Sequence, residues 1–179
     1  MNLYQHLSRI MTKGRDFVPQ VDGLRFVAII IDNLVLGVPF VFLFFLFFAG
    51  TIPEFVRSAQ TNPQDPQFVA RMMMTFLPRI FLLMIIGAVA SWLYWALMES
   101  SSWQATLGKK ALGLYVTDLA GNRVSFGKAS GRFWSGKGLG MVPYIGPLYR
   151  LVDCILAGFT ERKQALHDMI AGCLVLRNN

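Results

Sequence analysis

Two long apolar runs organise this chain, one over residues 24–50 and one over residues 73–98, with polar, basic or Pro/Gly-broken sequence around them. Each is long enough to cross a bilayer, for which about 20 apolar residues suffice. The pattern predicts two transmembrane helices joined by a polar connection over residues 51–72, which holds three prolines and both signs of charge. Pro39, inside the first run, cannot donate to the carbonyl of Val35 and reads as a kink. Arg79, near the start of the second run, is placed to snorkel to the interface. Trp92, Tyr94, Trp95 and Trp103 crowd its far end and read as an aromatic belt.

The remaining segments are shorter. Residues 1–23 are polar and basic, and MNLYQHLSRIMT has the make-up of a short interfacial helix that Pro19 ends. LGLYVTD reads as a strand, DLAGN as a turn, and Ser125 as the cap of a helix running to about Trp134. GCLVLR has the pattern of a second strand able to pair with the first. Residues 138–160 are apolar but broken at Pro143, Gly146 and Pro147, which leaves a re-entrant dip or a third crossing. A crossing would export Arg162, Lys163 and Arg177, whereas a dip returns them to the side they came from. The expected fold is therefore an all-α membrane protein in one domain. It has a transmembrane hairpin, a broken third segment, a short amphipathic helix and a small two-stranded element.

Composition agrees with this: 54% of residues are hydrophobic and 15% charged, which is not the balance of an ordinary water-soluble domain. The formal charge of +7 would point to nucleic acid in a soluble protein, but here the basic residues lie in loops. Residues 100–137 carry Lys109, Lys110, Arg123, Lys128, Arg132 and Lys137 against one acid, Asp118. The positive-inside rule puts that segment and both termini in the cytoplasm, where they meet anionic lipid, and the 51–72 connection outside. Cys154 and Cys173 are too few for a disulfide framework, and the first run is too long for a cleavable signal.

Asp32 is the most informative residue, because it is an ionisable group inside the first apolar run. A carboxylate at the centre of a membrane helix costs roughly 2.5–3.5 kcal/mol on insertion scales, and it needs a partner or a wet cavity. Arg25 lies seven residues earlier, on the same helix face and about 10 Å away along the axis. Other chemistry fails on spacing. Gly108-Lys109 lacks the upstream glycine and following hydroxyl of a phosphate-binding loop. His167, Asp168, Cys154 and Cys173 fit no zinc pattern, and no catalytic motif is present, so neither enzyme, metal nor cofactor is expected. Arg25, Asp32, Arg150, Asp153 and Asp168 remain, with Arg150 and Asp153 spaced to pair with each other. They serve either to fix the helix arrangement or to bind and release a cation or proton.

GLRFVAIIIDNLVL, TLGKKALGLYVTDLAGNRVSFGKASGRF and ERKQALHDMIAGCLVLR together resemble the RDD family of bacterial membrane proteins, named for one arginine and two aspartates. The resemblance covers residues 20–177 and implies that Arg25 and Asp32 are the first two members of that set. It implies Asp168 as the second aspartate, with Asp153 as the competing choice. Cys173 departs from the small hydroxyl residue usual there. Some members of that family look like sodium/proton antiporters, so the resemblance implies an inner-membrane, oligomeric transporter of Na+ or H+. A non-transporting membrane module, with itself or another protein as partner, is the alternative. Two spans alone enclose no pathway.

The loop asymmetry yields a topology test. In a Cys154→Ser background, Gln5→Cys and Asn178→Cys are both expected to resist an impermeant maleimide applied from outside intact cells. Labelling at 178 alone would replace the dip with a third crossing.

Overall fold

A computed structural model describes residues 22–61, 67–140, 142–160 and 164–177. The basic N-terminal segment with its expected interfacial helix, and Arg162 and Lys163, lie outside the described residues. The order is α1 (Asp22–Phe48), α2 (Thr51–Thr61), α3 (Phe68–Ser100), α4 (Leu107–Ala111), β1 (Leu114–Asp118), α5 (Phe126–Phe133), a π-turn (Trp134–Gly138), α6 (Ile145–Phe159), α7 (Leu166–Ala171) and β2 (Cys173–Arg177). The structure is mostly helical, with one two-stranded sheet.

Two of these helices are long and apolar enough to cross a membrane, α1 and α3. At 27 and 33 residues they measure about 40 and 50 Å, against a hydrocarbon core of about 30 Å. Most of their apolar side chains are exposed, Phe26, Leu34, Val38, Phe42, Phe45, Met74, Phe81 and Met84 among them. A core helix of a water-soluble protein would bury such residues, so this surface suits lipid. Pro39 and Pro78 sit inside the helices without ending them.

The chain divides into two compact units, residues 34–91 and the remainder. Within residues 34–91, the expected polar connection is partly helical. Pro53 is tolerated in the first turn of α2, where its missing N–H would have no partner. The second long helix begins at Phe68, five residues earlier than the apolar run suggested, because Phe68, Val69 and Ala70 extend it past Arg71 and Met72. Aromatic contacts set the register of this unit: Phe48 stacks on Phe76 at 5.3 Å between centroids, and Phe55 on Phe68 at 5.0 Å. Gly87 faces the ring of Phe40, so α1 and α3 run antiparallel through this region.

The other unit is built on the sheet. β1 and β2 pair antiparallel with Val116 opposite Val175 and Asp118 opposite Cys173, as the alternating patterns of LGLYVTD and GCLVLR predict. Asp118 closes the turn after β1 by accepting from Ala120 N and Asn122 N. Ser125 caps α5, with its hydroxyl accepting from Lys128 N. A two-stranded sheet is marginal alone. Here one face, Leu114, Val116, Cys173 and Val175, packs on Ala28 of α1, Ala96 of α3, Val124 and Ala129. The two alanines let both long helices approach the sheet closely. The broken segment, residues 138–160, follows the π-turn and past Pro143 and Tyr144 forms α6, whose 15 residues span about 22 Å. That length falls short of a full crossing.

Gly172 joins α7 to β2 with φ 60 and ψ 46, a left-handed conformation that a Cβ disfavours. Gly172→Ala is expected to cost about 1 kcal/mol and Gly172→Asn less. Gly127→Ala, inside α5 and facing open space, should leave the melting temperature unchanged or raise it. Thermal unfolding in detergent checks all three.

Candidate functional site

Asp32 is completely buried, one turn after Ala28, and its hydrogen-bond partners among the described residues are all neutral. Its Oδ1 accepts from the Tyr94 hydroxyl at 2.7 Å and from Gly108 N at 2.7 Å, and its Oδ2 from the Thr106 hydroxyl at 2.6 Å. Leu107 N in turn donates to the Tyr94 oxygen at 3.1 Å. The carboxylate therefore sits at the opening turn of α4, where Thr106 is the N-cap. Such a turn presents unpaired N–H groups, and negative charge is favoured there. A Cβ at Gly108 would collide with the carbonyl oxygen of Ala28, so only glycine brings that N–H within reach of Asp32. The 106–109 loop does bind an anion, and the anion is this chain's own aspartate.

Arg25 goes elsewhere. Its Nη1 donates to Asp168 Oδ2 at 2.9 Å, and Asp168 is also completely buried. The second cation on that carboxylate is Arg132, from the last turn of α5, with Nε at 2.7 Å and Nη2 at 2.6 Å from Oδ1. Arg132 bridges onward, its Nη1 donating to both oxygens of Glu99 at 2.6 and 2.7 Å, and Lys109 Nζ donates to the same glutamate. The fork geometry of a guanidinium suits this double role, which an ammonium could not fill. Burial works against the Asp168 carboxylate, but Arg132, His167 and Arg25 outweigh it and hold its pKa well below the usual range. Burial also opposes the charge on Arg132, and Asp168 and Glu99 more than restore it.

His167 extends this network toward solvent. Its Nδ1 lies 2.8 and 2.9 Å from the Asp153 oxygens, and its Nε2 lies 3.2 Å from Asp168 Oδ1. Both side chains are partly exposed, 22% for His167 and 17% for Asp153. A carboxylate at each ring nitrogen favours the doubly protonated ring: burial pushes the pKa down, and Asp168 and Asp153 push it above its ordinary value. Arg132 Nη2 is 3.4 Å from the same Nε2. Losing the Nε2 proton therefore exchanges a bond to the carboxylate for one from the guanidinium.

Of the aromatic residues expected to form a belt, Trp103 is exposed with Lys110 over its ring, and the other three make contacts within the sheet unit. Tyr94 is spent on Asp32, Trp92 Nε1 donates to Ser130 Oγ at 3.0 Å, and the buried Trp95 ring lies under Lys109 and Lys137, at 5.0 and 3.8 Å.

Of the residues singled out from the sequence, Arg25 and Asp168 meet directly, Asp153 reaches them through His167, and Asp32 stands in a separate neutral cradle. Arg150 does not pair with Asp153; it is exposed, and the carboxylate goes to the imidazole and backbone N–H of His167. Sequence reasoning missed Glu99, which follows the second apolar run by one residue, and it read Lys109 and Arg132 as ordinary loop cations. The signal for Glu99 was its isolation: an acid ending a long apolar helix in a basic neighbourhood. Cys173 is buried in the sheet core and Cys154 exposed, and among the described residues no cluster of three His, Cys, Asp or Glu has a metal-binding arrangement.

The pKa directions give a signed pH test. His167, raised in the folded state, contributes stability that is complete below about pH 6.5 and is lost as pH rises through its folded value. Asp168, depressed, contributes stability present above about pH 3.9 and lost as pH falls through its folded value. Lys137, lowered to about 8 by burial and by Lys109, gives the opposite slope above that pH, so the window to read is from about 6.5 to 8. Melting temperature should fall across this window in the wild type and stay flat in His167→Gln.

The model of the RDD family matches residues 23–172 of this chain. The chain is also 36% identical over 154 residues to a protein of Bacillus subtilis (strain 168) titled "Uncharacterized protein YxaI", which covers 82% of this chain and 89% of the relative. No solved structure matches. The chain belongs to the RDD family, and its long apolar helices make it a membrane protein.

Proposed function

We propose that this RDD-family chain is a non-transporting membrane assembly module, in which the arginine and two aspartates lock a folded cytoplasmic cap onto the base of the first membrane helix. One observation carries this reading. Asp32 and Asp168 are completely buried, and protein donors occupy the oxygens of both. Arg25 at the start of α1 and Asp32 two turns later bind different parts of the cap, α7 and α4, so the helix base is held at two points. In a bacterial inner membrane with the basic segments inside, the cap is cytoplasmic and the exposed helix faces serve a second copy or another membrane protein.

A second reading, exchange of a small cation such as Na+ for protons, draws on His167. The imidazole links a partly exposed carboxylate, Asp153, to the buried Arg25–Asp168 pair, which is a titratable path inward from solvent. Under it Asp32 is the titrating ligand, Asp168 a second carboxylate and Arg25 the counter-charge. An oligomer has to open the buried carboxylates to water.

Asp32→Asn separates the two. Asparagine keeps the acceptor that Tyr94 and Gly108 N use, but its amide turns a donor toward the Thr106 hydroxyl and it cannot titrate near neutral pH. As a lock, the wild type in liposomes shows no sodium-driven proton flux. Asp32→Asn then lowers the melting temperature by an amount corresponding to about 1–3 kcal/mol, and Asp168→Asn, which strands Arg25 and Arg132, by about 3–5 kcal/mol. Flux in the wild type that Asp32→Asn abolishes without a melting change would sink the lock and establish exchange.

A further inference from the structure

The helix α6 has three chemically different sides. Gly146, Tyr149, Asp153 and Ala157, spaced three and four residues apart, share one side. That side turns toward the cap: the glycine and the alanine are buried, and Asp153 meets the backbone N–H and the ring of His167. Arg150 and Cys154 lie on a second side and are exposed. Ile145, Leu148, Leu151, Val152, Ile155 and Phe159 form the third, and every one of them is exposed, Phe159 to 86%. This stripe runs the length of the helix and contains no polar side chain.

The place of α6 in the fold says what lies against the stripe. Two neighbouring residues of α7 bond in opposite directions, His167 to Asp153 of α6 and Asp168 to Arg25 of α1. Contacts of 2.9, 3.2 and 2.8 Å thus lead from Arg25 through Asp168 and His167 to Asp153. Arg25 opens the apolar run of α1, so α6 is held at the level where that helix leaves the bilayer. Water is a poor neighbour for a contiguous stripe of large apolar side chains. A protein partner forms about one hydrogen bond per 100–200 Å² of interface, and the stripe has no side chain to supply one. Acyl chains require none. A crossing is a poor fit as well, because Arg150 and Asp153 sit near the middle of a helix only about 22 Å long, against a hydrocarbon core of about 30 Å.

We infer that α6 lies flat in the interfacial layer of the bilayer, with its apolar stripe among the acyl chains just below the headgroups and its Arg150 and Cys154 side toward water. The partner is the lipid surface itself, and it holds the cap at a place other than the two long helices. The inference rests on these contacts and not on the lock, since an exchanger built on the same network would seat α6 in the same way.

Spin labels on the full-length protein in phosphatidylcholine/phosphatidylglycerol liposomes test it. Leu148→Cys, Ile155→Cys, Phe159→Cys and Arg150→Cys are each made in a Cys154→Ser background, and Cys154 is labelled in the wild type, Cys173 being buried. Labels at 148, 155 and 159 should respond to oxygen and not to an aqueous nickel chelate, all three at one depth, about 5–10 Å below the headgroup boundary. Labels at 150 and 154 should show the reverse. A depth that changes steadily from 148 to 159, by up to about 16 Å, means a dip or a crossing and overturns the inference. Nickel access at 148, 155 and 159 means a water-facing stripe, and exclusion of both reagents means a protein neighbour; either result overturns it as well. A second measurement needs no substitution. Phospholipid with a photoreactive diazirine in its acyl chains should attach to the apolar residues of α6 in the wild type and spare Arg150 and Cys154. Attachment confined to α1 and α3 overturns the assignment.

Discussion

Taking a carboxylate out of water costs several kcal/mol even after the protein relaxes, and this chain buries Asp32, Glu99 and Asp168 close to the base of its membrane helices. The cost is tolerable only if each oxygen meets a donor, and Arg132 is the residue that makes this possible for two of the three. The Nε/Nη2 edge of its guanidinium holds Asp168 and its Nη1 holds Glu99, while Arg25 and Lys109 add further donors to the two carboxylates. Five side chains from α1, α3, α4, α5 and α7 are thereby obliged to meet. Replacing such a set by apolar residues is often neutral for stability, whereas removing one member leaves an uncompensated charge. The network's value is therefore in specifying which elements come together.

Asp32 solves the same problem by a different route. Its hydrogen-bond partners among the described residues are a phenol, a hydroxyl and a backbone N–H, all neutral donors. That arrangement ties the middle of the first turns of α1 to the start of α4, and it explains a glycine that would otherwise look like a loop residue. The two devices differ in how they respond to pH. The Asp32 cradle is built from neutral donors, while the Asp168 network ends in His167, whose ring is shared by two carboxylates and one guanidinium. A proton-linked response of the Asp168 network therefore enters through the imidazole.

The basic residues of the cap stand in two settings. Arg132 and Lys109 are internal counter-charges, invisible to solvent, and Arg25 joins them from the start of α1. Other cations lie outside this network: Lys137 rests over the ring of Trp95, and Arg150 is exposed on α6. Counting lysines and arginines in a segment predicts which side of a membrane it occupies. It does not tell these settings apart, because both kinds of cation satisfy the rule equally.

Local order and periodicity were enough to read the two long helices, the turn at Asp118, the Ser125 cap and the strand pair, because each depends on contacts within a few residues or on a simple alternation of apolar side chains. The isolation of Asp32 in hydrocarbon, and the motif around it, likewise pointed to Arg25, Asp32 and Asp168 before any contact was known. Tertiary structure alone decided the partners. Arg25 lies 143 positions from Asp168, and Asp32 lies 76 from Gly108, separations over which no sequence pattern specifies a hydrogen bond. The expected Arg150–Asp153 pair failed for the same reason: spacing allows a pair on a helix surface, but a histidine delivered by another element, with two donors aimed at the carboxylate, binds it better than an exposed guanidinium screened by water. Glu99, Lys109 and Arg132 read as a helix end and two loop cations until the fold removed water from around them, and it is the loss of water that turns a charge into a constraint.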